Sequence, residues 1–220
     1  MSYTAQDIVT QVQNKIGDAS FSSTDILQYV NHVNRDVHNT YELRYMQATN
    51  DFTTVTSQSL LGTLPTDMQT PYNLRRTDKQ YAGKLEYMPF DKFDERYPVP
   101  TLQAPAIPLI WYDFAQQIFL FPAPSLPSGL SGYGIELRYL KKPTTLTSLS
   151  STPDIPEEFQ EILTLGALKH AYEKRQRFDV SQLMDQQYQD KVLELVQRYA
   201  NSAMSLSDPY IMEAPVTRVI

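Results

Sequence analysis

The sequence predicts an α+β protein: a four-helix bundle formed by both chain ends, a β-rich insertion between them, and an extended C-terminal tail. Three observations predict it. Of the 15 prolines, none lies in residues 1–48, eleven lie in 49–152 and four in 153–220. Proline removes a donor and clashes inside a helix, so the ends are free to be helical and the middle is not. The apolar period changes with the prolines, from one helical turn at the ends to two residues in the middle. Past Ser205 no period survives.

The first segment reads as two helices. Thr4 with Asp7 has the form of a capping box, Ile8, Val12 and Ile16 follow at one-turn spacing, and Gly17 is a stop. Ser22 with Asp25 starts the second helix. Ile26, Val30, Val33, Val37 and Tyr41 make one apolar stripe, and Asn31, Asn34, Arg35, Asp36 and Glu42 fall on the opposite face.

The middle segment changes to strands. Phe52–Val55 and Leu60–Leu64 flank a Ser-Gln-Ser turn and read as a hairpin. Tyr72–Arg76 and Lys84–Tyr87 are further strands, and Pro89–Tyr97 holds one short helix. Residues 98–108 carry four prolines and predict an extended loop. Leu109–Tyr112 and Gln117–Phe121 flank Asp113–Gln116 as a second hairpin. Tyr133–Leu140 alternates large apolar residues with Gly, Glu and Arg, the pattern of a strand with one wet face.

Helix returns at Asp154, Pro156 and Glu157. Phe159, Ile162, Leu163, Gly166, Ala167, His170 and Ala171 form a stripe whose small centre invites close approach by another helix. A fourth helix starts near Val180–Ser181 and carries Leu183, Tyr188, Val192, Leu195, Val196 and Tyr199. The boundaries predicted are 1–48 with 153–204 for the bundle, 49–152 for the insertion and 205–220 for the tail. The tail has six large apolar anchors, Tyr210, Ile211, Met212, Val216, Val219 and Ile220. Such a segment suits docking on a partner.

Composition bounds the function. The 220 residues are 41% hydrophobic and 20% charged, ordinary for a folded chain. No run of 18 apolar residues occurs, which excludes a transmembrane helix, and no signal peptide is visible. Without cysteine there are no disulfides, zinc–thiolate sites or Cys nucleophiles. The 15 tyrosines suit contact surfaces that are apolar with a polar tip. Net charge is −6, with −2 in residues 1–48, zero in 49–152 and −4 in 153–220. An acidic chain disfavours tight phosphate binding, yet suits a path that nucleic acid passes through without sticking.

Few residues look chemical. His32 and His38 lie six apart on one helix, on different faces, and His170 stands alone; no metal or catalytic spacing is present. Asp91, Asp94 and Glu95 read as the solvated face of a short helix. As an acid–base or cation group they are the basis of a carboxylate-dependent enzyme, an alternative reading. Glu157, Glu158 and Glu161 match the dipole of a helix first turn. The glycine cluster Gly129, Gly132 and Gly134 lacks the lysine of a phosphate loop and reads as a turn. The basic groups are Arg75-Arg76 with Lys79, Lys141-Lys142, and Lys174-Arg175 with Arg177; the last closes a helix, where cations offset the dipole, and the first, with Tyr72 and Tyr81 nearby, suits a subunit contact better than nucleic acid. A binding module, such as a sugar-binding β domain with Trp111 and Tyr112 as a platform, is the other alternative. The sequence calls for no cofactor and no metal.

A resemblance runs along the chain. It rests on Asn34–Tyr41; Phe52–Leu64 with Pro65 and Asp67; Trp111-Tyr112 through Ile118–Phe121 to Pro124; Leu137–Pro143; and Ile155–Phe159 leading to Gly166-Ala167 and Ala171-Tyr172. In this order, over roughly residues 20–200, the chain resembles the head-to-tail adaptor proteins of tailed bacteriophages. These are also called head-completion or connector proteins, and are related to the tail-tube A proteins of short-tailed phages. The resemblance implies a non-enzymatic virion protein of the neck, assembled in the host cytoplasm. It implies a homo-oligomeric ring of twelve subunits beneath the portal protein, extending the channel for double-stranded DNA and meeting tail or nozzle proteins. It also implies that the C-terminal segment, with Tyr210, Ile211, Met212, Val216, Val219 and Ile220, grips the portal. Twelve copies at net −6 carry about −72 formal charges, enough for an acidic bore to repel phosphate. Glu157, Glu158 and Glu161 are the candidates to line it.

Overall fold

The computed structural model describes residues 3–17, 21–78, 82–126 and 132–200. Contacts divide the chain into two compact units, Met1–Met46 with Pro143–Ile220, and Gln47–Lys142.

The first unit holds α1 (Ala5–Ile16) and α2 (Ser23–Thr40). Thr4 and Asp7 form the expected capping box, and Gly17 closes α1 in the left-handed region at φ 64°. Ser22 caps α2 by accepting from the Asp25 amide. The α1 stripe buries Ile8, Val12 and Ile16, and the α2 stripe buries Ile26, Val30, Val33 and Val37. Asn31 and Asn34 do not sit on a free polar face. The Asn31 amide donates to the Leu146 carbonyl (2.9 Å) and accepts from the Leu146 amide (2.8 Å), and Asn34 donates to the Thr144 carbonyl (3.1 Å). These bonds hold the returning segment 143–151 along α2.

That segment also meets α1, whose Ala5 and Gln6 amides donate to the Ser151 and Leu149 carbonyls, each at 2.8 Å. A 3-10 turn at Glu157–Phe159 then leads into the helices of the C-terminal half.

The second unit holds eight strands and one helix. They are β1 (Gln47–Thr53), β2 (Leu60–Thr63), β3 (Met68–Arg76), β4 (Gly83–Lys84), β5 (Glu86–Tyr87), α3 (Phe90–Arg96), β6 (Ile110–Phe114), β7 (Gln117–Phe121) and β8 (Gly134–Lys141). One sheet has the order β1-β8-β3-β4 and the other β2-β7-β6-β5. Leu74, Leu85, Trp111, Ile118, Leu120, Tyr133, Ile135, Leu137 and Tyr139 form a core drawn from both sheets. A second cluster joins Phe93 of α3 to Met88, Ile110, Tyr112 and Phe121. In β8 the expected alternation holds as far as Tyr139 and then breaks: Ile135, Leu137 and Tyr139 are buried and Glu136 and Arg138 part-exposed, but Leu140 is buried as well.

The remaining helices are α4 (Glu161–Lys174) and α5 (Phe178–Tyr199). Every residue from Ile162 to Leu168 in α4 is buried. Such a helix is enclosed on all sides, and α1, α2 and α5 all pack against it.

The α+β class holds, but the architecture expected from the sequence does not. The predicted four-helix bundle of the chain ends, with a β-rich insertion and an extended tail, gives way to five helices and two four-stranded sheets among the described residues. The physical reason lies in α4. Four equivalent amphipathic helices share one seam, whereas α4 has no polar side over its first two turns and acts as a hub. A fifth helix, α3, belongs with the strands.

The hairpin expected at 52–64 is also absent. β1 pairs with β8 and β2 with β7, so its two arms enter different sheets. Buried Thr54 marks the parting, its hydroxyl accepting from the Tyr133 amide at 2.8 Å. The second hairpin forms as β6 and β7, with a tighter turn at Ala115 (φ 50°) and Gln116 (φ 64°). Among the described residues, no helix is long and apolar enough to cross a membrane.

Candidate functional site

The expected channel residues lie at the entry to α4. Glu157 and Glu158 stand in the 3-10 turn, Glu161 opens α4, and all three are exposed. They are not equivalent. Glu158 accepts from the Tyr199 hydroxyl at 2.8 Å and pairs with Arg198 at 3.1 Å. Arg198 also lies over the Phe159 ring, which meets Tyr199 edge-on. The Glu158 carboxylate therefore ties the end of α5 to the start of α4, and it holds the Tyr199 phenol above its ordinary range. Glu157 and Glu161 form no ion pair among the described residues.

Ala200, which follows α5, has extended backbone. Ala200 makes an antiparallel bridge with Leu43 of the N-terminal half. The tail anchors Tyr210, Ile211, Met212, Val216, Val219 and Ile220 lie outside the described residues.

The candidates for chemistry are dispersed. His38 is buried; its Nδ1 lies 2.6 Å from the Asn34 carbonyl and its Nε2 lies 3.0 Å from the Tyr45 hydroxyl. Burial pushes its pKa down, opposed by the Asn34 carbonyl and Asp154. His32 and His170 meet with ring centroids 5.1 Å apart, and His170 pairs with Glu173 at 3.1 Å. Asp91, Asp94 and Glu95 are exposed on α3, whose inward residue is Phe93. Among the described residues, no three His, Cys, Asp or Glu side chains are grouped to hold a metal. A sugar platform of Trp111 and Tyr112 is overturned: the two are 2% and 9% exposed, because both sit in packed clusters.

Some of the basic groups are engaged, and Lys79 lies outside the described residues. Lys174 and Arg175 cover the Phe21 ring, and Arg177 pairs with Asp179. On the outer face of the β1-β8-β3-β4 sheet, Glu136 takes both Arg75 and Arg138. Those two cations hold its carboxyl below the usual range, Arg138 contributing most. Beside them lies an open depression of about 420 Å³ lined by Gln47, Ala48, Thr49, Tyr72, Asn73 and Arg138. The sequence signalled only that Arg138 stands on the wet face of a strand. Its neighbours come from β1 and β3, which are remote in the chain.

No curated protein matches this sequence. The family model described as SU10 adaptor protein matches residues 3–210, which takes in helices and strands of both units.

Proposed function

Because the chain belongs to the SU10 adaptor protein family, we propose that it is a structural protein of a tailed-phage virion, joining the portal of the head to the tail. The family match over residues 3–210 carries this reading. The working form is a ring of about twelve copies, in line with large closed homo-oligomers. The ring extends the DNA channel below the portal and presents a surface to tail or nozzle proteins. The role asks no catalysis of the chain.

Two structural features support the finer assignments. Ala200 has extended backbone and bridges Leu43, so α5 has ended before residues 205–220 begin. Residues 205–220, with their apolar anchors, then dock on the portal. Glu157 and Glu161 are exposed carboxylates outside any ion pair among the described residues, although Lys191 feels the charge of Glu161, and they supply the repulsion that lets DNA slide. Glu158 contributes less because Arg198 neutralises it.

The test is the mass of the full chain, alone and mixed with a purified portal ring. A ring-sized complex is expected. Deleting residues 205–220 abolishes that complex while the helical signal in circular dichroism persists. Normal portal binding by the truncated chain, or no complex with the intact one, overturns the assignment.

A further inference from the structure

The two units differ in charge. Residues 47–142 hold nine basic and nine acidic groups, net zero, leaving ten basic and sixteen acidic groups, net −6, for the helical unit. The whole excess of acid thus belongs to one unit. The strand unit, by contrast, shows a preformed cation on an open face. Arg138 gives its Nε to Glu136, and its two terminal nitrogens have no partner among the described residues. Glu136 is itself shared with Arg75, so one carboxylate serves two guanidinium groups and neither has it to itself.

The depression beside Arg138 is lined with further hydrogen-bonding groups from Gln47, Thr49 and Asn73. Thr49 and Asn73 flank Arg138 in register on either side of β8. A planar guanidinium with its inner edge fixed and its outer edge unpaired matches a carboxylate, which it binds with two parallel hydrogen bonds. β1, which supplies one wall of the depression, is the edge strand of this sheet.

We propose that the Arg138 depression is one half of the contact between successive copies in the ring, and that it receives a carboxylate from the helical unit of the neighbouring copy. The inference rests on the ring reading above. It makes the contact head-to-tail: the neutral sandwich of one copy against the acidic helices of the next, an arrangement that closes into a ring. Within the ring, this pairing offsets part of the self-repulsion of chains at net −6. Double-stranded DNA is the poorer occupant, because a duplex needs a run of phosphate-binding cations, whereas the strand unit is neutral overall and offers one guanidinium here.

The test uses the full chain with the portal ring and measures the concentration of subunit needed for ring assembly at 50 and 500 mM salt. Arg138→Glu is expected to raise it about tenfold or more at low salt, and salt to weaken the wild type more than Arg138→Ala. Asn73→Asp places a carboxylate beside Arg138 while keeping Arg138, Arg75 and Glu136 themselves, and is expected to act in the same direction. Lys92→Glu, on exposed α3, is expected to change nothing. Wild-type assembly by both Arg138→Glu and Asn73→Asp overturns the inference and leaves the ring standing. Intact rings that lose retention of a short duplex overturn it in favour of phosphate. Failure of the wild type to form any ring removes the ring reading itself, and this inference with it.

Discussion

Gly166 of α4 lies directly against Val33 of α2: a methyl group added at Gly166 would stand 2.6 and 2.7 Å from the two Val33 methyls. Both contacts are shorter than carbon atoms tolerate. The small centre of the α4 stripe is thus the place where α2 crosses closest. Gly166→Ala is expected to destabilise the helical unit by about 1–3 kcal/mol, despite the better helix propensity of alanine. Urea denaturation followed by circular dichroism measures it. Adding Val33→Ala is expected to recover part of the loss, and a double-mutant cycle without coupling would place the strain elsewhere.

His38 gives the helical unit a pH dependence. The neutral ring with its proton on Nδ1 satisfies both neighbours, donating to the Asn34 carbonyl and accepting from Tyr45. Its pKa is lowered in the folded state, chiefly by burial. The unfolded chain therefore binds the proton more readily. Stability from this group is complete above the unfolded value of about 6.5 and is lost as pH falls through the depressed folded value. Unfolding midpoints at pH 7.5, 6.5 and 5.5 are expected to fall at the acid end. His38→Gln is expected to be less stable at neutral pH and to flatten that slope. A slope unchanged by the substitution would assign it to other groups.

Trp111 reports on the strand unit. It is the one tryptophan in the chain and is 2% exposed in the core shared by the two sheets. Its emission is expected to be blue-shifted and poorly quenched by acrylamide. Leu137→Ala, in the same core, is expected to lower the fluorescence midpoint, with a cost of about 2–5 kcal/mol. A red-shifted, readily quenched native spectrum would contradict this core.

Glu158 and Tyr199 are coupled through their hydrogen bond. The carboxylate holds the phenol up, so Glu158→Gln is expected to return the Tyr199 pKa toward its ordinary value of about 10. Carbon NMR of labelled tyrosine rings follows the titration. The same variant is expected to increase amide exchange in the last turn of α5, since Arg198 loses its partner as well.

What was legible in the sequence depended on how local its cause was. The capping box at Thr4, the Ser22 cap, the α2 stripe and the β6–β7 hairpin are set by residues within a few positions of each other. The strand pairing of Phe52–Leu64 is not. Two short runs around a turn look like a hairpin, yet their partners β8 and β7 lie far along the chain. Asn31 and Asn34 read as a solvated face because an amide side chain does not reveal that it will meet backbone 110 or more residues away. For the site, the sequence located Glu157, Glu158 and Glu161 on a helix start but could not separate the paired carboxylate from the unpaired two. Arg138 was visible as a polar position on a strand, while the depression beside it needs β1, β3 and β8 side by side.

The bridge between Ala200 and Leu43 has a mechanical consequence. Tension applied beyond Ala200 reaches the body first at that backbone pair and then at the Tyr199–Glu158–Arg198 knot one step behind it. Load is thereby shared with the N-terminal half before α5 is asked to unwind, so a tug on this end strains a clasp rather than peeling off a helix.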